Sequence, residues 1–231
     1  MGIEFDLHAE MLLGLWLQGH LRRARSRGES GEGECAAARG LCYRTRMEIV
    51  LVHPEIPHNS GCAGRLAAAL ALRLHLVEPL GFSLEDRYMK RAGLDYWPQV
   101  NLAVHADLDS AFAEIAKGSE RPLAQRLKLF SARGGKSLFE TSFAEDDVLV
   151  FGSESGGLPA ELLQQHAQRR VYIPIRKGVR SLNLANVVAL ATYTAMDRAG
   201  AALPDNEGLY EAHPQAGEDI WPHHRVQPSD G

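Results

Sequence analysis

VLVFGSESGGLP, residues 148–159, is the stretch that decides the fold of this 231-residue chain. Its first four residues form an apolar run that fits a buried strand, and glycines then mark a turn before a helix that starts near Leu158 and Pro159. Glycines at the carboxyl end of a parallel strand let a ligand approach the backbone closely. The spacing is not the GxGxxG of a dinucleotide-binding loop. Taken alone, the segment fits a plain glycine-rich connection with a solvated Glu154 equally well.

The same order of strand, turn and helix recurs over residues 47–200. The pattern predicts strands at 48–53, 74–77, 101–104, 127–131, 148–151 and 171–175. It predicts helices at 60–72, 84–92, 107–117, 160–168 and 183–198, the last ended by Gly200. Strands that alternate with helices predict an α/β fold, a mostly parallel sheet with helices on both faces.

Composition sets further limits. Hydrophobic residues make up 45% of the chain, and no run approaches the roughly 20 apolar residues of a membrane span. The three cysteines lack metal-ligand spacing and fit a reducing cytoplasm, so we expect a cytoplasmic protein without metal or membrane. The net charge of −4 comes from an acidic excess after residue 199, which leaves the body of the chain near neutral.

Three regions follow from these patterns. Residues 1–46 are predicted to be an N-terminal extension, either disordered or the product of an upstream start site, with Met47 as the true start. Residues 47–200 form the predicted domain. Residues 201–231 form an acidic, loose C-terminal tail.

Two further segments also follow apolar runs. PEIPHNSG, residues 54–61, places Asn59 six residues before Arg65, at the start of an Ala/Leu-rich helix. An arginine there is costly unless it faces a site or a partner, although a surface position is the simpler interpretation.

The last segment consists of IPI, residues 173–175, and RSLNLAN, residues 180–186. Ser181 and Asn183 fit an ordinary helix N-cap. The nearby cations Arg176, Lys177 and Arg180 are typical of a solvated loop, yet they also suit a partner that carries phosphate.

Together the three segments resemble the motifs of the SPOUT superfamily of knotted RNA 2'-O-methyltransferases. The resemblance is strongest to the small tRNA (cytidine(34)-2'-O)-methyltransferases of the TrmL type. LHLVEPLGF at 74–82 and RAGLDY at 91–96 also look like that subgroup, and the likeness runs from about Glu48 to Gly200.

The resemblance implies a C-terminal trefoil knot, S-adenosyl-L-methionine as cofactor, and no metal. Apolar side chains would sandwich the adenine, and backbone groups would bind it. The implied cofactor-binding residues are Phe130, Gly152, Glu154, Gly156, Ile173, Ser181 and Leu182. The implied catalytic residues are Arg65, Asn59 and Asn183.

The implied reaction transfers a methyl group to the wobble-nucleotide ribose, cytidine or uridine 34, of tRNA. A homodimer would bind the anticodon loop. Candidate phosphate contacts are Arg73, Arg87, Lys90, Arg91, Arg176, Lys177 and Arg180. Arg65 would act as base or, because arginine stays protonated, as organiser of a hydroxyl polarised by its phosphate neighbour.

This chain departs from the family pattern at Cys62 and Gly64, near the substrate side. Leu182 replaces a frequent methionine, a swap of similar volume. Three alternatives stay open: methylation of another tRNA or rRNA nucleotide, a non-catalytic knotted RNA-binding factor, and an unknotted nucleotide-binding α/β protein.

Overall fold

The computed structural model describes residues 46–84 and 97–204. The strands are β1 (Glu48–Val52), β2 (Arg73–Val77), β3 (Asn101–His105), β4 (Leu127–Phe130), β5 (Lys136–Ser137), β6 (Val148–Phe151) and β7 (Arg170–Tyr172). The helices are α1 (Pro57–Ala69), α2 (Leu108–Ala116), α3 (Leu123–Arg126), α4 (Ala160–Gln165) and α5 (Leu184–Ala199). Short 3-10 turns cover Trp97–Gln99, Leu138–Glu140 and Ala167–Arg169. No helix in the described ranges has the length and apolar character of a membrane span.

All the strand pairs are parallel, and the sheet order is β3-β2-β1-β6-β4-β7-β5. Parallel strands end at a common edge, so the loops at 53–56, 131–135, 152–159 and 173–183 emerge side by side. The predicted parallel sheet is therefore confirmed, and the three sequence segments share its carboxyl edge.

Both faces of the sheet are covered by helices, as predicted. Alternate residues of the central strands, such as Ile49 and Leu149, pack with α1 and α5 on one face. Their neighbours, such as Val50 and Val150, pack with α2 and α4 on the other. Strands covered on both sides read as continuous apolar runs because no side chain faces water.

Most element ends follow local signals. Asp107 caps α2 in a capping box, with its side chain accepting the Ser110 N–H at 2.7 Å. Gly200 ends α5 in the left-handed conformation at φ 71°. Both were predicted.

Other predicted boundaries are wrong. Helix α1 begins at Pro57 rather than Ser60, because proline suits the first helical turn, where its missing N–H leaves no bond unmade. Strand β7 ends at Tyr172 rather than 175, ahead of Pro174, which has no N–H to donate to a ladder. Strand β4 stops at 130 rather than 131, and α4 stops at 165 rather than 168, where a 3-10 turn follows. Strand β5 was not predicted. Residues 85–92 of the helix predicted at 84–92, and residues 1–45 and 205–231 of the two terminal regions, lie outside the described residues.

A buried polar cluster lies on the face of the sheet covered by α2. His75 Nδ1 lies 2.9 Å from His105 Nε2, and His75 Nε2 lies 2.8 Å from Glu48 Oε2. Arg126 is fully buried and donates to Glu48 Oε1 at 3.1 Å and to the Asp146 carbonyl at 2.7 Å. Because Arg126 and Glu48 bond each other and other polar groups, the free-energy cost of burying their charges is offset.

Candidate active site

One chain of side-chain hydrogen bonds joins the three sequence segments. Asn59 Nδ2 donates to Glu154 Oε1 at 2.8 Å, and Asn183 Nδ2 donates to Asn59 Oδ1 at 2.9 Å. These residues come from α1, from the turn after β6 and from the start of α5. Asn59, at 2% exposed, is the buried link between the other two. The predicted catalytic residues Asn59 and Asn183 and the predicted cofactor residue Glu154 therefore form one cluster.

Asn183 also caps α5. Its Oδ1 accepts the N–H groups of Ala185 at 2.9 Å and Asn186 at 3.4 Å. The amide thus uses its oxygen for the helix and its nitrogen for Asn59. The helix cap is confirmed, and the second end of the amide joins Asn183 to Asn59; its catalytic role stays a prediction.

Glu154 holds the entry to α1 as well. Its carboxylate accepts the N–H of Glu55 at 2.8 Å and that of Ile56 at 3.3 Å, besides the Asn59 amide. The donors at the start of a helix have no partner within it, and a carboxylate satisfies them well. Glu154 is therefore an anchor of the loop before α1 rather than a solvated side chain.

The turn after β6 is closed on itself. The Ser153 and Gly157 backbones exchange two hydrogen bonds, at 3.2 Å and 2.9 Å. A Cβ on Gly152 would lie 2.0 Å from the Gly157 carbonyl carbon, so no other residue fits this position. Gly157 adopts φ 75°, a left-handed conformation that favours glycine. Gly156 lies on the exposed side, where its N–H donates to Ser153 Oγ at 3.1 Å.

The predicted adenine-contacting side chains differ in access. Phe130 is 7% exposed and stacks on Phe151 with ring centroids 4.6 Å apart, so it belongs to the core. Ile173 is partly buried against the same core. Leu182 is 39% exposed and Ser181 is exposed. Their roles in cofactor binding stay predictions.

Arg65 lies outside this cluster. It is exposed on α1, about one and two-thirds turns beyond Asn59, and so points to a different side of the helix. His58 and Cys62 precede it on that exposed side, with His58 Nε2 3.7 Å from Cys62 Sγ.

In the described parts of the chain, no group of three or more His, Cys, Asp or Glu side chains could hold a metal ion.

The candidate phosphate contacts separate into two groups. Arg176, Lys177 and Arg180 are exposed in the loop that joins β7 to α5, beside the cluster. Arg73 instead pairs with Glu114 at the amino end of β2, so its predicted role in phosphate contact is not supported. The remaining candidates, Arg87, Lys90 and Arg91, lie outside the described residues.

Two residues at this edge were missed from the sequence. The Glu55 carboxylate accepts the Ser155 N–H at 3.1 Å and the Ser155 hydroxyl at 2.5 Å. A glutamate in a loop and a serine among glycines carry no spacing signal, since the two lie 100 residues apart.

Comparisons with known proteins agree with this geometry. The model of the SpoU rRNA Methylase family matches residues 46–193. A tRNA (cytidine(34)-2'-O)-methyltransferase from Burkholderia ambifaria is 44% identical over 155 residues, which are 67% of this chain and 96% of that protein.

Two solved structures share the fold. One, described as "Structural insights into the 2-OH methylation of C/U34 on tRNA", is 44% identical with a TM-score of 0.60, covering 68% of this chain and 97% of that one. The other is the AdoMet-bound rRNA methyltransferase from Sinorhizobium meliloti, 20% identical with a TM-score of 0.56, covering 66% and 56% of the two chains. At that identity the likeness concerns the fold alone. The family match spans most of the described fold, and the chain belongs to the SpoU rRNA Methylase family.

Proposed function

We propose that this protein is a tRNA 2'-O-methyltransferase that uses S-adenosyl-L-methionine to methylate the ribose of the wobble nucleotide, cytidine or uridine 34. The observation that carries the proposal is the Asn183–Asn59–Glu154 hydrogen-bond chain. It brings three segments of a methyltransferase-family chain to one edge of the sheet, next to a glycine turn and three exposed cations.

The target nucleotide is supported by the relatives. The Burkholderia protein is named for cytidine 34, and this chain spans 96% of its length. This chain also covers 97% of the solved structure described for 2-OH methylation of C/U34 on tRNA. This chain therefore matches nearly the whole of both proteins, which supports the same target nucleotide.

Two features of the carboxyl edge support binding of the methyl donor. The tight turn at 152–157 exposes backbone around Gly156, and Leu182 offers exposed apolar surface. The S. meliloti protein of the same fold was crystallised with AdoMet. The donor supplies a sulfonium methyl group that an alcohol oxygen can take. Gly152, Glu154, Gly156, Ile173, Ser181 and Leu182 would hold it, with Phe130 contributing from the core.

The residues of the chain then orient the acceptor. The ribose 2'-hydroxyl is a weak nucleophile when protonated and gains from a partner that polarises or removes its proton. Arg65 keeps its charge at neutral pH, so its guanidinium would bind the phosphate beside the ribose and orient the hydroxyl. Asn59 and Asn183 keep the loops on either side of the acceptor at a fixed separation.

We also propose that residues 127–199 form a trefoil knot. Along the chain, β5 comes between β4 and β6. In the sheet, β7 lies between β4 and β5. After β7 the chain returns across β4 and β6 to place Asn183 beside Asn59. Strand β7 therefore lies between β4 and β5, two strands that are consecutive in the chain, and this order supports the proposed knot.

We also propose that the protein is a homodimer and that it binds the anticodon loop of a cytoplasmic tRNA. Large apolar side chains are exposed near the site, on α5 and in the loops before α1 and α5: Ile56, Ile175, Val179, Leu182, Leu190 and Tyr193. Apolar surface of this kind marks protein interfaces. The exposed Arg176, Lys177 and Arg180 would contact tRNA phosphates.

Arg65→Ala tests the proposal. We expect methylation of purified tRNA to fall by about 100-fold, the effect of losing a group that orients the acceptor, with donor binding unchanged by calorimetry. Arg46→Ala, an exposed arginine before β1, is the matched control and should keep full activity. An Arg65→Ala variant as active as the wild type would refute this role.

Mass spectrometry of tRNA from cells that lack the protein tests the target. The wobble 2'-O-methyl group should be missing and should return with the wild-type gene. Loss of a methyl group at a different tRNA or rRNA nucleotide would favour the alternative target.

A further inference from the structure

Two loops at the carboxyl edge are joined by a reciprocal exchange of hydrogen bonds. The Glu154 carboxylate accepts the N–H groups of Glu55 and Ile56, at 2.8 Å and 3.3 Å. In return the Glu55 carboxylate accepts the N–H and the hydroxyl of Ser155, at 3.1 Å and 2.5 Å. Each loop therefore donates its backbone to a glutamate of the other, and we call this pair of contacts the glutamate clasp.

The clasp fixes the glycine turn at its middle. Ser153 and Gly157 close the base of the turn by backbone hydrogen bonds. The tip of the turn, residues 154–156, lies beyond those two bonds, and within the turn it is held by the Gly156 N–H, which donates to Ser153 Oγ at 3.1 Å. Glu154 and Ser155 occupy that tip, and the clasp ties both of them to the loop before α1.

The loop that carries Glu55 is itself held from the opposite side. Gly81 N–H donates to the Pro54 carbonyl at 2.9 Å. A Cβ on Gly81 would lie 2.5 Å from the Glu55 carbonyl oxygen, so the two backbones are in direct contact. The backbone at Pro54 and Glu55 is therefore held by Gly81, while the Glu55 carboxylate bonds Ser155.

A fixed turn favours ligand binding. A loop that is already in its bound conformation does not lose conformational freedom when the ligand arrives, so affinity rises without a new contact. Hydrogen bonds to a charged carboxylate are stronger than those between neutral groups.

We propose that Glu55 is a positioning residue, which holds Ser155 and thereby keeps the glycine turn in the shape that receives the methyl donor. This inference rests on the proposed function. Glu55 acts through Ser155, so it governs donor affinity more than the rate of transfer once the donor is bound.

The experiment measures donor affinity and turnover in Glu55→Ala, Glu55→Gln and Ser155→Ala in the full chain. For Glu55→Ala we expect the Kd for S-adenosylmethionine to rise about tenfold, the effect of losing about 1.4 kcal/mol, with kcat at saturating donor within about twofold. Ser155→Ala should reproduce this change. Glu55→Gln keeps one acceptor oxygen and should regain part of the affinity.

Controls separate positioning from folding. Glu120→Ala removes an exposed carboxylate from a loop at the other end of the sheet and should leave Kd and kcat unchanged. Thermal unfolding shows whether each variant is folded, and Ser155→Ala serves if Glu55→Ala is not.

Three outcomes overturn the inference. The first is a Kd within twofold of wild type in both alanine variants, and the second is a loss confined to kcat. The third is a wild-type chain that takes up no S-adenosylmethionine, which would overturn the proposed function as well. The first two outcomes would leave the proposed function in place.

Discussion

Asn59 uses both ends of its amide, and this makes it the most sensitive residue of the site. The nitrogen donates to Glu154 and the oxygen accepts from Asn183. Asn59→Asp keeps the shape but places a carboxylate oxygen opposite Glu154, so a donated bond becomes a repulsion between like charges.

We therefore expect Asn59→Asp to lower the free energy of unfolding by about 2 kcal/mol and to lower methylation severely, as measured by urea denaturation and by activity on tRNA. Asn101→Asp is the control, because Asn101 is exposed at the start of β3 and distant from these loops. Wild-type stability in Asn59→Asp would contradict the assigned hydrogen-bond directions.

Individual site residues were predictable from the sequence only in part. Asn59, Glu154 and Asn183 were found because each belongs to a recognisable segment, and the structure joins them. Glu55 and Ser155 were missed because their contact depends on how two loops meet. Phe130 was placed at the site by the family resemblance, but its stacking on Phe151 depends on β4 and β6 being neighbours.

Among the elements, α1 has an unusual end. Ala71 adopts φ 53°, a left-handed conformation, while Leu72 N–H donates to the Ala67 carbonyl at 2.8 Å and Ala71 N–H donates to the Ala68 carbonyl at 3.2 Å. This is the Schellman pattern, which glycine normally completes. The end of α5 follows the same pattern with Gly200 at φ 71°.

The two helix ends give a matched pair of substitutions. Ala71→Gly should raise the free energy of unfolding by about 0.5–1 kcal/mol, because the relief of Cβ strain exceeds the extra freedom of glycine in the unfolded chain. Gly200→Ala should lower it by a similar amount. Chemical denaturation measures both, and shifts of the same sign would contradict this account of the two ends.

The types of the long elements were predictable from the periodicity of the sequence, but the existence of the short elements was not. The long apolar runs of β1 and β6 and the Ala/Leu pattern of α1 specify their own type. Strand β5 has two residues and exists only because β7 offers an unpaired edge to Lys136 and Ser137. Its formation is a tertiary effect that no local pattern records.

The whole molecule carries a built-in pH dependence through the buried His105. Burial lowers its pKa from the ordinary value of 6.5, and the neighbouring His75 and Arg73 lower it further, while Glu114 and Asp107 act in the opposite direction. The unfolded chain binds a proton at His105 near pH 6.5, and the folded chain binds it only at lower pH. The contribution of His105 to the free energy of unfolding is therefore fully present above pH 6.5, and it is lost as the pH falls below that value.

Urea denaturation between pH 7.5 and 5.5 measures this effect. We expect the free energy of unfolding to decrease steadily as the pH falls below 6.5, and His105→Gln to reduce that slope. An equal slope in wild type and His105→Gln would show that other groups cause the dependence.

At lower pH a second group contributes. Burial acts to raise the pKa of Asp146, but hydrogen bonds from Ser119 and Arg121 and the charges of Arg121 and Arg126 outweigh it and hold the pKa below 3.8. The stability that Asp146 provides is therefore lost only as the pH falls below that value.

The order in which the site residues occur along the chain has a consequence for biosynthesis. Asn59 emerges from the ribosome 95 residues before Glu154 and 124 residues before Asn183, its two hydrogen-bond partners. A nascent chain that stops short of α5 can pair β1 with β2, yet it lacks the group that completes the cluster. The cluster is thus completed only after the start of α5 has left the exit tunnel.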